Sequence, residues 1–148
     1  MATRLGMEAK LYRNSAATGP ATWVEVANVK DVTLNLEKGE ADVTTRGNQG
    51  WRAVIGTLKE ASIDFQMVWD TADAGFAAIQ GAFFGNTPIE FAVMDGPITD
   101  PASEGLQATF DVFSFTRNEA LEEAIVVDVT IKPTYAATPP QWINGTAP

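Results

Sequence analysis

Apolar and polar residues alternate along most of this chain, a pattern typical of β-strands with one buried and one solvated face. The stretch VTLNLEK (32–38) alternates in this way, and WRAVIGTLKEASIDFQMVW (51–69) repeats the alternation after a polar connection. Because a turn-rich segment separates the two runs, they predict a long antiparallel hairpin. The positions predicted to face inward are Val32, Leu34, Leu36, Ile63, Phe65, Met67 and Trp69.

Further strands and one helix are predicted elsewhere in the chain. Strand patterns occupy residues 7–13, 21–29, 88–95, 106–118 and 123–135. In the fourth of these the alternation slips between Val112 and Phe113, which indicates a bulge or a strand covered on both faces. Only residues 70–86 have helical periodicity, with Asp70 or Thr71 as the predicted cap and a stop at the Gly-Asn pair that ends the segment.

Seven or eight strands and one helix predict a mainly β fold, an antiparallel barrel or sandwich with the helix against its side. We find no internal repeat and no linker, so we expect a single domain over residues 1–148. Within it we expect a long hairpin loop at about 37–52. From about residue 136 we expect an extended C-terminal arm, whose prolines exclude regular structure.

Composition narrows the possible functions. The chain has ten basic and nineteen acidic residues, a formal charge of −9, which opposes ordinary binding to nucleic acid. It has no cysteine and no histidine, so we expect no disulfide, no cofactor and no zinc, copper or haem site. The first thirteen residues have no apolar run of the kind a signal peptide needs, and the longest apolar stretch is too short to span a bilayer. We expect a protein made in the cytoplasm without a membrane anchor.

Carboxylates are the remaining candidates for chemistry. Those such as Asp111 and Asp128 occupy polar positions of predicted strands, where a solvated face explains them better than a catalytic pair. Asp95, Asp100 and Glu104 share one loop and could ligate calcium, but their spacing fits turn and capping roles better. An enzyme is therefore the weakest of the functional hypotheses.

The hairpin loop combines glycines, both signs of charge and an aromatic residue. Its sequence, GEADVTTRGNQGWR (39–52), is no phosphate cradle, because no helix follows it and no lysine has the required spacing. Mixed charge around an aromatic anchor is instead the composition of a self-complementary interface. The residues predicted to contact another subunit are Glu40, Asp42, Arg46, Trp51 and Arg52.

A binding module is the main alternative. Trp51 and Trp142 both lie in polar or proline-rich segments without a core face of their own, and exposed tryptophan usually marks a contact. Either residue could serve as a stacking platform in a monomeric β-sandwich that binds carbohydrate or another surface.

The order of these segments resembles one known family. The hairpin VTLNLEKGEADVTTRGNQGWRAVIGTLKEASIDFQMVWD (32–70), the helix TADAGFAAIQGAFF (71–84) and the last strand EAIVVDVTIKPT (123–134) are similar to tail tube proteins, or major tail proteins, of long-tailed bacteriophages. The resemblance covers residues 22–135 or so. It rests on the order of elements rather than on a catalytic signature.

The resemblance implies a structural protein of the virion and no enzyme. Such proteins close into hexameric rings that stack into the hollow tail tube through which DNA is ejected, and a long loop contacts the neighbouring ring or subunit. The implied partners are further copies of the chain, the initiator, terminator and tape measure proteins of the tail, and DNA in transient passage. The implied site of assembly is the host bacterial cytoplasm.

Relatives in this family commonly have a negatively charged lumen, which lets DNA slide without sticking. Strand alternation places Asp31, Glu37 and Asp64 on the polar face of the long hairpin, opposite its apolar face. These three carboxylates are the predicted lumen residues. The alternative is that the same face is the solvated outside of the tube.

Overall fold

The computed structural model of the chain describes residues 3–16 and 19–146, and the outermost residues of the predicted domain, 1–2 and 147–148, lie outside this part. The described part forms eight strands, one α-helix and two short 3-10 turns. In chain order these are the turn Gly6–Glu8, β1 Lys10–Asn14, β2 Trp23–Glu25, β3 Val29–Asp42, the turn Arg46–Asn48, β4 Val54–Val68, α1 Ala74–Gly85, β5 Ile89–Met94, β6 Glu104–Asn118, β7 Val126–Pro133 and β8 Gln141–Asn144.

All eight strands belong to one antiparallel sheet. Its order is β2-β1-β5-β6-β7-β4-β3, and β8 pairs with the first residues of β6. The first half of β6 pairs with β5 and its second half with β7, with a register shift between Val112 and Ser114. This shift is the bulge that the slipped alternation indicated. The predicted mainly β antiparallel fold with one helix is confirmed, and the sheet is open rather than a closed barrel.

The core lies between one face of the sheet and α1. Alternate residues of the central strands β4 and β7 are buried there together with residues of the helix: Ile63, Phe65, Met67, Val127, Val129, Ile131, Phe76 and Ile79. Leu11 of β1 and Leu34 of β3 pack against the same cluster although their strands lie near opposite ends of the sheet order. The sheet therefore curves around the helix, and its other face is left for solvent or for partners.

The ends of α1 follow from hydrogen bonds of its flanking residues. The carboxylate of Asp73 caps the helix by accepting from the amide of Gly75, so the predicted cap at Asp70 or Thr71 is wrong. Asp70 is occupied in the preceding turn, where its side chain accepts from the amide of Ala72. The predicted stop is confirmed, because Asn86 adopts the left-handed conformation that ends helices.

Several boundaries differ from the sequence predictions. The strand predicted at 7–13 begins only at Lys10, and the one predicted at 21–29 is reduced to Trp23–Glu25. Pairing in the long hairpin continues to Asp42 opposite Val54, so the connection covers residues 43–53 rather than 37–52. Near the C-terminus, β8 is regular structure that the prolines were predicted to exclude. The two prolines precede Gln141, and Ile143 then packs against a small second core around Tyr12.

Candidate assembly surfaces

The outer half of the β3–β4 hairpin, residues 37–60, projects beyond the core, and we call it the arm. Every residue of β4 before Ala61 is exposed, because β7 pairs with β4 only from Ile63 onward and leaves a two-stranded ribbon. At about 3.3 Å per residue, the strands carry the tip about 20 Å past the body. A two-stranded ribbon is marginally stable alone in water, so an arm of this length is suited to contact with another molecule.

Large apolar side chains are exposed along this ribbon. Trp51 is 78% exposed and Leu58 is 80% exposed, and Val43, Val54 and Ile55 are exposed with them. Leu36, at the base of the arm, is 55% exposed, so its predicted inward position is wrong: the core ends beside Leu34 and Ala61. Apolar side chains gathered on one projecting element mark an interaction surface. The sequence pattern missed most of these residues because it treated the whole strand as half-buried.

The tip of the arm is an ordered turn. Residues Arg46–Asn48 form the 3-10 turn, Gln49 and Gly50 follow with positive φ, and the amide of Trp51 donates to the carbonyl of Asn48 at 3.0 Å. The hydroxyl of Thr44 accepts from the amide of Ala53 at 2.9 Å and closes the base of the turn. These bonds give the tryptophan and its flanking arginines a defined position.

Asp42 is the last residue of β3, at the point where the strand meets the tip. The Thr44 hydroxyl and the Thr44 amide both lower the pKa of the Asp42 carboxyl, and the amide donates to it at 2.8 Å. Hydrogen bonds to a carboxylate favour its charged form. The acidic side of the tip therefore remains ionised beside the two arginines at neutral pH.

The tip also forms a shallow cavity of about 640 Å³. Four of the five residues predicted to contact another subunit line it: Asp42, Arg46, Trp51 and Arg52. The fifth, Glu40, lies outside the cavity, in β3 opposite Gly56. Within the described residues neither arginine forms an ion pair. Both cations and the exposed indole are therefore available to a partner.

Charge is divided unevenly between the arm and the body. The arm, residues 37–60, carries four basic and four acidic side chains, whereas the rest of the chain carries six basic and fifteen acidic ones. The arm is thus neutral overall on a strongly negative protein. Two copies of the chain can lower their mutual repulsion if the arm of one copy meets the body of the other.

The face of the sheet opposite the helix is polar across four strands. Asp64 in β4 accepts from Asn35 in β3 at 3.0 Å and from Thr130 in β7 at 2.6 Å. Asp128 in β7 accepts from Gln66 in β4 and from Asn118 in β6. These bonds link β3, β4, β7 and β6 into one polar face. The predicted lumen residue Asp64 lies at its centre.

The other two predicted lumen residues differ in position. Glu37 continues the face of Asn35 into the arm, where it lies opposite Glu60. Asp31 falls in a register shift between Lys30 and Thr33 and has a φ of 54°. Lys30, rather than Asp31, is opposite Gln66 on the polar face, so the alternation that grouped Asp31 with Asp64 is interrupted there. Asp31 instead lines a cavity near the β2 end of the sheet.

Two strand edges flank the polar face. β3 pairs only with β4, and residues 111–118 of β6 pair only with β7, so each has one side without a partner strand in the described part of the chain. Exposed edges of this length are templates for pairing with another chain. The four-stranded polar face can therefore be extended on both sides by other copies.

Other candidate sites find less support. Trp142 lies in β8 opposite Leu106, and the tip cavity that contains Trp51 does not include it. The carboxylates of Asp95 and Asp100 accept backbone amides of their own loop, as expected for turn residues. Across residues 3–16 and 19–146, no group of three or more acidic side chains could hold a metal ion. None of the helices described is long and apolar enough to cross a membrane.

Comparison with protein families gives one match. The profile of the family described as phage tail tube protein matches residues 7–134, which is most of the chain. No curated protein sequence matches it.

Several solved structures share the fold. The tail of an empty gene transfer agent particle, refined with helical C6 symmetry, is 22% identical with a TM-score of 0.71 and covers 90% of this chain and 96% of that one. A native gene transfer agent virion is 15% identical with a TM-score of 0.71, over 95% and 99% of the two chains. The SPP1 tail tube is 14% identical with a TM-score of 0.74, over 99% and 81%.

Proposed function

The chain belongs to the phage tail tube protein family, and on that premise we propose that it forms hexameric rings which stack into the hollow tube through which DNA leaves the particle. The family is structural rather than enzymatic. The observation that carries the proposal is a polar sheet face with a free edge on each side and a projecting arm at one end. The C6 symmetry of a structural neighbour supports six copies per ring.

Ring closure follows from the two free edges. If β3 of one copy pairs with the second half of β6 in the next, both edges are hidden and the polar faces become one continuous surface. A head-to-tail contact of this kind closes into a ring when the rotation between neighbouring copies divides a full turn into a whole number of steps. If the polar face lines the channel, α1, which packs on the opposite face of the sheet, lies on the outside of the ring.

The polar face would then line the lumen. Asp64, Asp128, Glu37 and Glu60 would each become a ring of six carboxylates, and stacked rings would form a negatively charged sleeve. Such a surface repels the phosphates of passing DNA and prevents adhesion. Asp31 is not kept in this assignment, because the bulge removes the alternation on which it rested.

The arm would link one ring to the next. Its tip presents Trp51 with Arg46 and Arg52, and Glu40 and Asp42 lie on the strand that leads to it. A buried aromatic anchor surrounded by charged groups is the arrangement that dominates binding at protein interfaces. The acidic body of a copy in the adjacent ring is the surface that complements it.

The same proposal places the protein in the virion tail after assembly in the host bacterial cytoplasm. Its other partners would be the initiator and terminator at the ends of the tube and the tape measure protein in its interior. Electron microscopy of the purified protein, combined with analytical ultracentrifugation, tests the proposal. We expect rings or tubes with sixfold symmetry. A protein that stays at 15.9 kDa at high concentration, and also with initiator added, would contradict it.

A further inference from the structure

The base of the arm carries two pairs of like charges in adjacent registers. Glu37 lies directly opposite Glu60, and Lys38 lies directly opposite Lys59. Within the described part of the chain, none of the four forms an ion pair. Because neighbouring residues of a strand point to opposite sides, one face of the arm carries two carboxylates and the other carries two ammonium groups.

This arrangement disfavours the isolated arm. Like charges directly opposite each other destabilise an antiparallel pair, whereas opposite charges stabilise it. An exchange of Lys59 and Glu60 would keep the composition of the chain. It would place one acidic residue opposite one basic residue on each face of the arm. The chain instead concentrates each sign on one face, which favours binding to a surface outside the arm.

The basic face continues the apolar side of the hairpin. Alternation along β3 places Leu34, Leu36 and Lys38 on the same side, and Ala61 and Lys59 follow on β4. Leu36 is more than half exposed there. We call Leu36, Lys38 and Lys59 the lysine face. Because Leu36 lies beside two unpaired ammonium groups, the lysine face is complementary to a partner surface that carries carboxylates and an apolar side chain.

The chain has such a surface at the opposite end of the sheet. The register places Val29, Val68, Asn118 and Val126 at that end, away from the arm. The two loops at this end carry five carboxylates, and one of them also carries the fully exposed Leu121: Asp70, Asp73, Glu119, Glu122 and Glu123. Arg117 pairs with Glu119, Asp73 caps α1 and Asp70 accepts the amide of Ala72, which leaves Glu122 and Glu123 without a side-chain partner in the described residues.

We propose that the lysine face docks on the Glu122 and Glu123 end of a second copy of this chain, in the adjacent ring. The inference rests on the proposed tube and adds the charge contact that sets its stacking direction. The arm and the acidic loops lie at opposite ends of every copy, so the contact repeats head to tail. The attraction joins exposed charges and weakens as salt is raised.

The decisive variant exchanges two neighbouring residues, Lys59→Glu with Glu60→Lys. It keeps the composition and the net charge of −9 and gives the arm two opposite-charge pairs, while the lysine face loses its net charge. We expect the arm amides of unassembled protein to resist hydrogen exchange as well as those of the wild type. We expect the concentration needed for tube formation to rise about tenfold or more.

Two further variants complete the test. Lys10→Glu with Glu25→Lys reverses an ion pair outside the arm at the same net charge, and we expect it to form tubes as the wild type does. Lys38→Glu with Lys59→Glu should abolish stacking, and adding Glu122→Lys with Glu123→Lys should restore it, because the charges then complement each other in reverse.

The outcomes separate this inference from the proposed function. Tubes of the exchanged variant at the wild-type concentration and salt dependence would overturn the inference and leave the tube intact. Failure of the reversed charges to restore stacking, or weaker hydrogen-exchange protection of the arm in the exchanged variant, would also overturn it. A wild-type protein that forms no tubes would overturn both.

Discussion

The side-chain amide of Asn35 donates to the carboxylate of Asp64 at 3.0 Å across the β3–β4 pair. Thr130 donates to the other oxygen of the same carboxylate, so Asp64 ties three strands together on the polar face. The residue is therefore held in place on the surface that we assign to the lumen. Its charge can be altered separately from the core beneath it.

Removal of this charge tests the lumen assignment. Asp64→Asn retains the size of the side chain, and we expect tubes to form with a stability loss of about 1 kcal/mol from weaker hydrogen bonds. Asp64→Lys adds six cations per ring, which attract phosphate in a salt-dependent manner. We expect slower DNA ejection at low ionic strength, measured by release of labelled DNA from particles. Unchanged ejection from particles shown to contain the lysine variant would place this face outside the tube.

Shortening the tip tests the role of the arm. Residues 43–53 can be replaced by Asn-Gly, a two-residue turn that suits the direct pairing of Asp42 with Val54. No core residue is lost, so we expect a folded protein whose stability changes by about 1 kcal/mol. Tubes should not form. Thermal unfolding and electron microscopy of the same sample give both answers, and normal tubes would exclude the arm as the link between rings.

Single substitutions at the tip should act in the same direction. Trp51→Ala removes the exposed indole, and Arg52→Glu reverses a charge that has no ion partner in the described residues. We expect both to weaken assembly in sedimentation experiments without a change in the melting temperature. Tyr135→Ala is a matched control, because Tyr135 is also exposed but lies outside the arm. Equal loss of assembly in the control would show a general effect of aromatic truncation.

The arm and the core should respond differently to loss of an apolar side chain. Ile63 is fully buried, and we expect Ile63→Ala to cost about 2–5 kcal/mol in the free energy of unfolding. Leu36, at the base of the arm, lies opposite Ala61 on the neighbouring strand and is more than half exposed. Leu36→Ala should therefore lower the free energy of unfolding by less than about 1 kcal/mol and mainly weaken assembly. Chemical denaturation of both variants measures the difference. Similar costs would mean that the core extends into the arm.

Acid should loosen the tip in a defined pH range. Thr44 lowers the pKa of Asp42 below 3.8, so the bond contributes stability above the unfolded pKa and loses it as the pH falls through the lower folded value. We expect the Thr44 amide resonance to shift in acid with a midpoint below pH 3.8. Asp42→Asn should remove this transition. A transition of the wild type near neutral pH would contradict the assigned hydrogen bonds.

Much of the fold could be predicted because one-sided burial leaves a clear alternation. Ile63, Phe65 and Met67 are buried as expected, and the slip at Val112 and Phe113 is a bulge. Leu36 was misplaced because alternation shows which side a residue faces but not whether anything lies beneath it. That depends on where β7 stops pairing with β4, which is a tertiary property.

The site could be predicted only in part for a similar reason. Composition identified the polar tip, and four of its five predicted residues share one cavity. The like-charge pairs of the arm depend on the register of β3 and β4. Lys59 and Gly56 of β4 are one residue further apart than their partners Lys38 and Glu40 of β3, so the register shifts there. Asp31 shows the same limit, since one bulged residue interrupts the alternation on which its position was predicted.

The most direct test of the central claim is a cryo-EM structure of the assembled protein. We predict sixfold rings in which the faces carrying Asp64 and Asp128 line the channel, β3 of each copy pairs with β6 of the next, and the arm crosses to the adjacent ring. An assembly whose channel is lined by α1, or whose arm contacts nothing beyond its own subunit, would contradict the account.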